Sequence, residues 1–174
     1  MTRDGREPYR YCPRCRSELQ DTFVYGRTRR VCPGCGFIHF EDPKVGAGVL
    51  AERAGQVVLV RRAVAPAIGS WCFPSGFVEY DEDPSEAAVR ECLEETGLEV
   101  SLSGLLEVTQ YASDTRGPGI LILYRGQVVG GEPCPGDDAS EVGFFGPDEL
   151  PGDIAFPSNR RALARWREEA RRSA

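Results

Sequence analysis

The sequence predicts an α/β domain preceded by a small cysteine-rich segment. The chain has 174 residues, of which 41% are hydrophobic and 28% charged, as in a globular protein of about one domain. Strand-like and helix-like runs follow one another without a regular strand–helix–strand repeat, which indicates a mixed α/β organisation. Four of the seven cysteines form two Cys-x-x-Cys pairs near the N-terminus, and these predict a separate metal-stabilised segment.

The charge and the apolar runs disfavour several classes of protein. A net charge of −6 argues against a globally basic nucleic-acid-binding protein, although it leaves room for local basic patches. The apolar runs are far shorter than the ~20 residues of a membrane-spanning helix. The first residues are charged and lack the apolar stretch of a secretory signal. We therefore expect a cytoplasmic protein with no membrane partner.

The two cysteine pairs have the spacing of a four-cysteine zinc site. Cys12 and Cys15 are followed, after 16 residues, by Cys32 and Cys35, and each turn can direct two thiolates at one ion. The segment has too few apolar residues to form a core alone, so a metal would supply folding energy. Two unrelated thiol pairs or a redox pair are the alternatives. Four thiolates leave no open position, so Zn²⁺ here would be structural.

The other cysteines and the single histidine do not indicate a site. Cys72, Cys92 and Cys134 are scattered, and Cys92 is explained as a small buried apolar residue within a helix. His39 lies four residues after Cys35. With four cysteines already present, a packing or surface role explains it better than metal ligation.

The sequence predicts a domain boundary at Glu41-Asp42-Pro43, which gives domains 1–43 and 44–174. Strands, a loop and two helices are predicted from periodicity and from turn residues. The predicted elements of the second domain are strands at 45–51 and 56–62, a loop at 63–74, a helix from 84 to 96, strands at 105–112, 120–129 and 141–145, a helical turn at 147–150 and a helix at 158–172.

The helix from 84 to 96 carries the strongest local charge. Residues 76–98 hold eight acidic side chains and one arginine. Glu91, Glu94 and Glu95 are spaced to crowd one helix face, where like charges repel in the absence of a cation. Mg²⁺ or Mn²⁺, which prefer oxygen ligands, would remove that repulsion, and Arg90 could hold the carboxylates in place. A solvated acidic face is the alternative.

The wider pattern around this helix resembles the Nudix box, G-x5-E-x7-R-E-U-x-E-E-x-G-U. Gly76, Glu82, the run Arg90-Glu91-Cys92-Leu93-Glu94-Glu95 and Gly97 match every defined Gly, Glu and Arg position. Trp71-Cys72-Phe73-Pro74-Ser75 resembles the lead-in of many members. The resemblance implies an α/β/α sandwich around a mixed sheet and metal-dependent hydrolysis of a diphosphate joined to another group.

The resemblance also implies roles for the matching residues. Glu91, Glu94 and Glu95 would be metal ligands, with a backbone carbonyl of Gly76 or Ser75 completing the set. Glu82 would be an auxiliary ligand or would orient water, and Arg90 would orient the carboxylates. The general base would be either a box glutamate or the distal Glu141, and an exposed loop acid is an equally good explanation of Glu141.

The cysteine quartet followed by Phe40-Glu41-Asp42-Pro43-Lys44 resembles the zinc-ribbon branch of the family. NADH-cleaving members carry S-Q-P-W-P-F-P-x-S after the box, and residues 110–119 do not match it. The resemblance therefore favours ADP-ribose or a related dinucleotide such as FAD over NADH. Trp71, Phe73 and Phe77 are candidates for stacking on a base, although such aromatic residues are more often core.

A second hypothesis is a binding module. In it the zinc ribbon recognises nucleic acid or protein, and the Nudix domain acts as a sensor or on RNA caps. The arginines between the cysteine pairs, Arg27, Arg29 and Arg30, motivate it. All box glutamates are present, which favours the enzyme, since sensor-type domains often lose them. A homodimer bridged by the ribbon is compatible with either hypothesis.

Overall fold

The computed structural model describes residues 9–111 and 117–173. The described residues divide into two compact units, one formed by residues 9–43 and 117–118 and the other by residues 44–111 and 119–173. Among the described residues, no helix has both the length and the apolar character needed to cross a membrane.

The N-terminal unit is a three-stranded antiparallel sheet built around the cysteines. Its strands, in the spatial order β1-β2-β3, are β1 (Gln20–Val24), β2 (Arg27–Val31) and β3 (Ile38–His39). Tyr25 and Gly26 connect β1 and β2 and both have positive φ, 50° and 74°. The buried residues are few, namely Cys12, Leu19 and Cys32, with Phe37 packed against them.

The second unit contains a seven-stranded mixed sheet and two helices. Its elements are β4 (Lys44–Arg53), β5 (Gln56–Arg62), β6 (Trp71–Cys72), β7 (Ser75–Phe77), α1 (Pro84–Thr96), β8 (Leu98–Tyr111), β9 (Gly119–Gly131), β10 (Ala139–Phe145) and α2 (Pro157–Ser173). The main path is β10-β5-β4-β9-β8, with β6 beside β5 and β7 beside β4. Strands β4 and β9 are parallel and the other pairs are antiparallel.

One helix covers each face of this sheet. Because successive strand residues point to opposite faces, Val49 and Val58 pack with Cys92 of α1, whereas Leu50 and Leu59 pack on the opposite side with Trp166 of α2. The predicted α/β/α sandwich around a mixed sheet is therefore confirmed.

Several elements differ from those predicted. The expected loop at 63–74 includes β6, because Cys72 and Trp71 pair with Val60 and Arg61. Residues 147–150 form a turn closed by the N–H of Glu149 donating to Gly146 O at 3.0 Å, not a helical segment. Strand β8 begins at Leu98, seven residues before the predicted start at 105. The last residue of the predicted strand 105–112 lies outside the described residues.

Candidate functional site

Both ends of helix α1 are fixed by the predicted capping residues. Asp83 accepts the N–H of Ser85 at 2.8 Å, and Pro84 occupies the first turn. At the other end Gly97 has φ 70° and donates its N–H to Leu93 O at 2.8 Å. The helix buries Ala87, Ala88 and Cys92 against the sheet, together with Glu91 and Glu95. These caps and this packing determine which glutamates face inward.

Arg90 binds three of the box glutamates. Its Nε and one Nη atom donate to the two carboxylate oxygens of Glu82 at 2.8 and 2.9 Å. The other Nη donates to Glu91 at 2.7 Å and to Glu94 at 2.9 Å. The Nη on the Glu82 side also donates to Phe77 O at 3.0 Å. The planar guanidinium therefore fixes the loop that precedes the helix and two carboxylates on it.

Glu91 and Glu95 are buried carboxyl groups, with only 8% and 4% of their surface exposed. The pKa of Glu95 is raised to about 8, mainly by burial and also by the nearby charge of Glu91, while a hydrogen bond from the N–H of Ser75 opposes the rise. Burial also raises the pKa of Glu91, although Arg90 opposes this. By contrast, Arg90 lowers the pKa of Glu82. The inner side of the helix therefore holds two carboxyl groups whose ionised forms are not fully stabilised by their surroundings.

Strand β7 lies against these two glutamates. A Cβ on Gly76 would lie 2.1 Å from the Glu91 carboxylate, so any larger residue would displace that side chain. The N–H of Ser75 donates to Glu95 Oε2 at 2.9 Å. The lead-in serine, which stands where many members have glycine, therefore contributes its backbone to the site.

The pairing of β7 with β4 determines which backbone carbonyl of β7 could serve as a metal ligand. Val49 N–H donates to Pro74 O, and Val78 N–H donates to Val45 O. The alternation of an antiparallel ladder then directs both backbone groups of Gly76 at Ala47 of β4. The expectation that the Gly76 carbonyl faces the glutamates is wrong for this reason. In a strand the carbonyl of a residue lies on the same edge as its N–H, so the Ser75 carbonyl lies on the edge away from β4, and it replaces Gly76 as the candidate ligand.

The three predicted metal ligands do not converge on one point. Within the described part of the chain, only the four cysteines have three or more ligand atoms within 4.8 Å of one another. Arg90 instead binds Glu91 and Glu94, and Glu94 is exposed on the outer side of the helix. The donor set still suits a hard cation, because it is made of oxygens, is anionic and includes the buried Glu95.

Removing Arg90 should destabilise the second unit. In Arg90→Ala the carboxylates of Glu82, Glu91 and Glu94 lose their shared cation and repel one another, so we expect Tm to fall by roughly 4 to 8 °C. Arg90→Lys should recover part of the loss, since it keeps the charge but not the forked geometry. The control is Arg172→Ala, which removes an exposed arginine paired with Glu168 at 3.5 Å. Differential scanning calorimetry gives the comparison, and equal Tm values for both alanine variants would disprove this role.

Glu141, the predicted distal acid, points away from α1. Its carboxylate pairs with Arg61 at 3.2 Å on the exposed start of β10. Gly143, two residues further along β10, lies on the same face as Glu141, and a Cβ there would contact Trp71 and Phe145. Val142 lies on the opposite face and packs with the hydrophobic cluster beneath α1. Glu141 therefore faces the side of the sheet that α2 covers. The structure does not bring it together with Glu91 and Glu95.

Two aspartates in the turn before β10 act on the box glutamates instead. The negative charges of Asp137 and Asp138 raise the pKa values of Glu91 and Glu95, respectively. The turn is held against the end of α1, because Gly136 N–H donates to Glu95 O at 3.2 Å. The sequence pattern did not single out this pair. An Asp-Asp after Pro-Gly is indistinguishable from an ordinary polar turn until the chain is folded.

The three candidate stacking residues lie in different environments. Phe73 is only 1% exposed and packs in the core with Leu50 and Leu59. It offers no face to a base, so the prediction that it stacks on one is wrong. Trp71 is half-buried against Phe145, with ring centroids 4.9 Å apart. Phe77 is also half-buried, and its carbonyl binds Arg90.

The four cysteines of the N-terminal unit form one cluster. All four Sγ atoms lie within 4.8 Å of one another, and two contacts, Cys12 to Cys35 at 3.6 Å and Cys15 to Cys32 at 3.4 Å, join the two turns. A tetrahedral zinc site with Zn–S of ~2.3 Å needs sulfur separations of ~3.8 Å, which this cluster approaches. Contacts between the turns fit one shared ion better than two redox pairs.

The two cysteine turns repeat the same backbone path. Cys12 N–H donates to Ser17 O and Cys32 N–H donates to Phe37 O, both at 2.8 Å. The residue four places after each of these cysteines has positive φ, 63° at Arg16 and 74° at Gly36. Repeated turns of this kind direct two pairs of sulfur atoms at a common point.

Comparisons with known proteins agree with this architecture. A family model described as the NUDIX domain matches residues 42–166. The ADP-ribose pyrophosphatase of Methanocaldococcus jannaschii is 38% identical over 130 residues, which cover 72% of this chain and 75% of that protein. An NAD-capped RNA hydrolase of Chromobacterium violaceum is 27% identical, and the match covers 92% of this chain but 60% of that protein.

A solved structure extends the likeness over both units. The crystal structure of a NUDIX hydrolase from Nitrosomonas europaea matches with a TM-score of 0.84 and 34% identity, over 94% of this chain and 93% of that one. Since the family model spans most of the chain and relatives of this identity are named hydrolases, the chain belongs to the Nudix hydrolase family.

Proposed function

We propose that this protein hydrolyses the diphosphate bond of a nucleoside-diphosphate-linked substrate, with ADP-ribose as the preferred class. The observation that carries the proposal is the buried Glu95 beside Glu91, where two carboxylates face inward on α1 without full compensation. A divalent cation would compensate these carboxylates and would allow the anionic diphosphate to bind beside them. The relative from Methanocaldococcus jannaschii, named as an ADP-ribose pyrophosphatase, supports the substrate class.

The residues that would hold Mg²⁺ or Mn²⁺ are Glu91, Glu94 and Glu95, with the carbonyl of Ser75. When bound, such an ion polarises phosphoryl oxygens and lowers the pKa of water. Glu91 and Glu95 are positioned by the packing of α1 and by β7, whereas Glu94 is held only by Arg90. If Glu91 and Glu94 turn to bind a metal ion, Arg90 would still donate two hydrogen bonds to Glu82, which is not among these proposed ligands. Arg90 would therefore continue to hold the loop that precedes α1.

We further propose that the turn carrying Asp137 and Asp138 supplies the carboxylate that acts as general base and accepts a proton from the attacking water. Both aspartates act electrostatically on the proposed ligands, whereas Glu141 lies on the opposite face of the sheet. In the cysteine-rich unit, the four thiolates would hold one structural Zn²⁺, for which the observed sulfur cluster has the right size.

The two candidate bases can be separated by conservative substitutions. We expect the Asp137→Asn, Asp138→Asn double variant to lower kcat by at least about 10²-fold, as for loss of a general base. Asparagine tolerates the positive φ of 46° at position 137, so the turn should persist. Glu141→Gln should change kcat by less than about threefold, since Glu141 binds Arg61 instead. If the large loss is found in Glu141→Gln alone, the base is not in the turn.

The close approach at β7 gives a test of carboxylate positioning. Gly76→Ala places a Cβ where the Glu91 carboxylate lies, 2.1 Å away. We expect kcat/KM to fall on the order of 10²-fold, because a misplaced catalytic group costs about that much. Gly152→Ala is the matched control, since a Cβ there meets nothing within 4 Å. Steady-state kinetics on both variants decide the matter. Unchanged kcat/KM in Gly76→Ala would show that Glu91 need not occupy this position.

A substrate screen tests the proposed function directly. The purified protein with Mg²⁺ or Mn²⁺ is given ADP-ribose, FAD, NADH, NAD-capped RNA or nucleoside triphosphates, and the products are resolved by chromatography. We expect the highest kcat/KM for ADP-ribose, with AMP as a product. Preference for NAD-capped RNA would move the substrate class to that of the Chromobacterium violaceum relative, and no cleavage of any diphosphate would refute the proposal.

A further inference from the structure

We propose that the β1–β2 hairpin of the cysteine-rich unit binds single-stranded nucleic acid by stacking bases on exposed aromatic rings beside arginines. This inference does not depend on the proposed hydrolase activity. It concerns the ends of the two strands and the turn between them, residues 23–27, which lie outside both the box glutamates and the cysteine cluster.

The hairpin presents aromatic rings to solvent. Phe23 near the end of β1 is 75% exposed and Tyr25 in the turn is 74% exposed. Tyr9 and Tyr11 of the same small unit are also exposed. Large aromatic residues contribute little to the stability of the fold when they are this exposed. They do offer the flat faces on which unpaired bases stack, whatever the base sequence.

The backbone at Tyr25 is unfavourable for its own side chain. Tyr25 and Gly26 both have positive φ, as in a two-residue type I′ turn, for which Asn-Gly is the preferred sequence. A tyrosine at the first of these positions adopts a sparsely populated conformation, and its largely exposed side chain gains little packing in return. The aromatic ring is therefore placed at the tip against the local preference of the chain, which points to a role in contact with a ligand.

The charge of the unit complements a polyanion. Residues 9–43 hold six arginines against four acidic side chains, and two of those acids pair with Arg10 and Arg30. Arg27 follows the turn directly, opposite Val24, next to the exposed rings. Arg29 lies over the Phe40 ring at 5.0 Å, which fixes a second guanidinium on the hairpin. Arginines interleaved with exposed aromatic rings are the pattern expected of a single-strand-binding surface.

This charge also argues against a second copy of the chain as the occupant. In an isologous contact each hairpin would meet the same basic surface of its partner, so arginine would face arginine. A nucleic acid satisfies both features together, since its phosphates pair with the arginines and its bases with the rings.

The test uses the full zinc-loaded protein and a fluorescent oligouridine RNA with a 5′-hydroxyl, in buffer without divalent ions. Fluorescence anisotropy should show binding that weakens as salt is raised. Tyr25→Asn should lower the affinity about tenfold, the loss of one stacked base. Because asparagine suits the turn, Tm should stay equal or rise, which separates lost contact from lost fold. Phe23→Ala should weaken binding similarly, and Arg27→Ala should reduce the slope of log K against log salt by about 0.7.

Two exposed residues of the other unit serve as controls. Tyr80→Asn removes a tyrosine that is 97% exposed and Arg172→Ala removes an exposed arginine, and neither should alter RNA affinity. Three results would overturn the proposal: no binding at roughly 100 µM protein, which is weaker than ordinary non-specific association; full affinity in Tyr25→Asn and Phe23→Ala; or a change of oligomeric state in those variants on gel filtration, which would make a second copy the occupant.

Discussion

Glu95→Gln is expected to lose on the order of 10³-fold in kcat/KM while the metal-free protein keeps or gains stability. The loss follows because a proposed metal ligand is removed, and several kcal/mol of transition-state stabilisation go with it. The gain follows because burial raises the pKa of Glu95 to about 8, so the folded state disfavours its charge. A neutral amide of the same shape avoids that penalty and can still accept the N–H of Ser75.

The measurement pairs kinetics with thermal unfolding. In wild type, Mn²⁺ should raise Tm by mass action, and in Glu95→Gln most of that shift should disappear. Glu86→Gln is the control, because Glu86 is an exposed acid in the first turn of the same helix. A Glu95→Gln variant that is unfolded, or one that is fully active, would contradict the role assigned to this residue.

Cys32→Ser is expected to remove the zinc and unfold the N-terminal unit. Cys32 is buried in a core to which, among the residues that the structure describes, only Cys12, Leu19 and the half-buried Phe37 also belong. So small a core cannot offset the entropy of ordering the segment, and metal binding must supply the difference. Native mass spectrometry should therefore find one zinc per wild-type chain and none in Cys32→Ser. Hydrogen exchange should show amide protection in residues 17–39 falling by at least about 10²-fold.

Cys134→Ser provides the matched control for this loss. Cys134 is a free, exposed cysteine outside the cluster, so its removal should change neither zinc content nor protection. If the zinc-free Cys32→Ser protein kept full protection in the ribbon, the four cysteines would not be a structural metal site. A disulfide within either Cys-x-x-Cys pair of the wild type would favour the redox alternative.

Local signals predicted α1 well, but they did not predict the shape of the sheet around it. Asp83, Pro84 and Gly97 are capping residues whose preferences come from the backbone itself, and the helix begins and ends where they indicate. The early start of β8 was missed because its register shifts three times, at Glu99/Val100, Leu102/Gly104 and Leu105/Glu107. Each bulge interrupts the alternation from which a strand is predicted.

The contrast between local signals and long-range strand register also explains which site residues could be predicted. Glu82, Arg90 and the box glutamates share one helix and its loop, so their spacing largely determines their geometry. Glu141 depends on long-range register, and β10 has an irregularity between Ala139 and Glu141. One extra residue moves a side chain to the other face of a sheet, so periodicity could not place Glu141. The contribution of Asp137 and Asp138 likewise arises only when their turn packs against α1.

Turnover of ADP-ribose followed by phosphorus NMR, with and without added Mn²⁺, tests the central claim most directly. Wild type should convert the diphosphate signals into those of two phosphate monoesters, AMP and ribose phosphate, only when the metal is added. Glu95→Gln should leave the diphosphate intact under the same conditions, and Glu86→Gln should behave as wild type. Equal rates without the metal, or equal rates in Glu95→Gln and wild type, would contradict hydrolysis by a divalent cation held on α1.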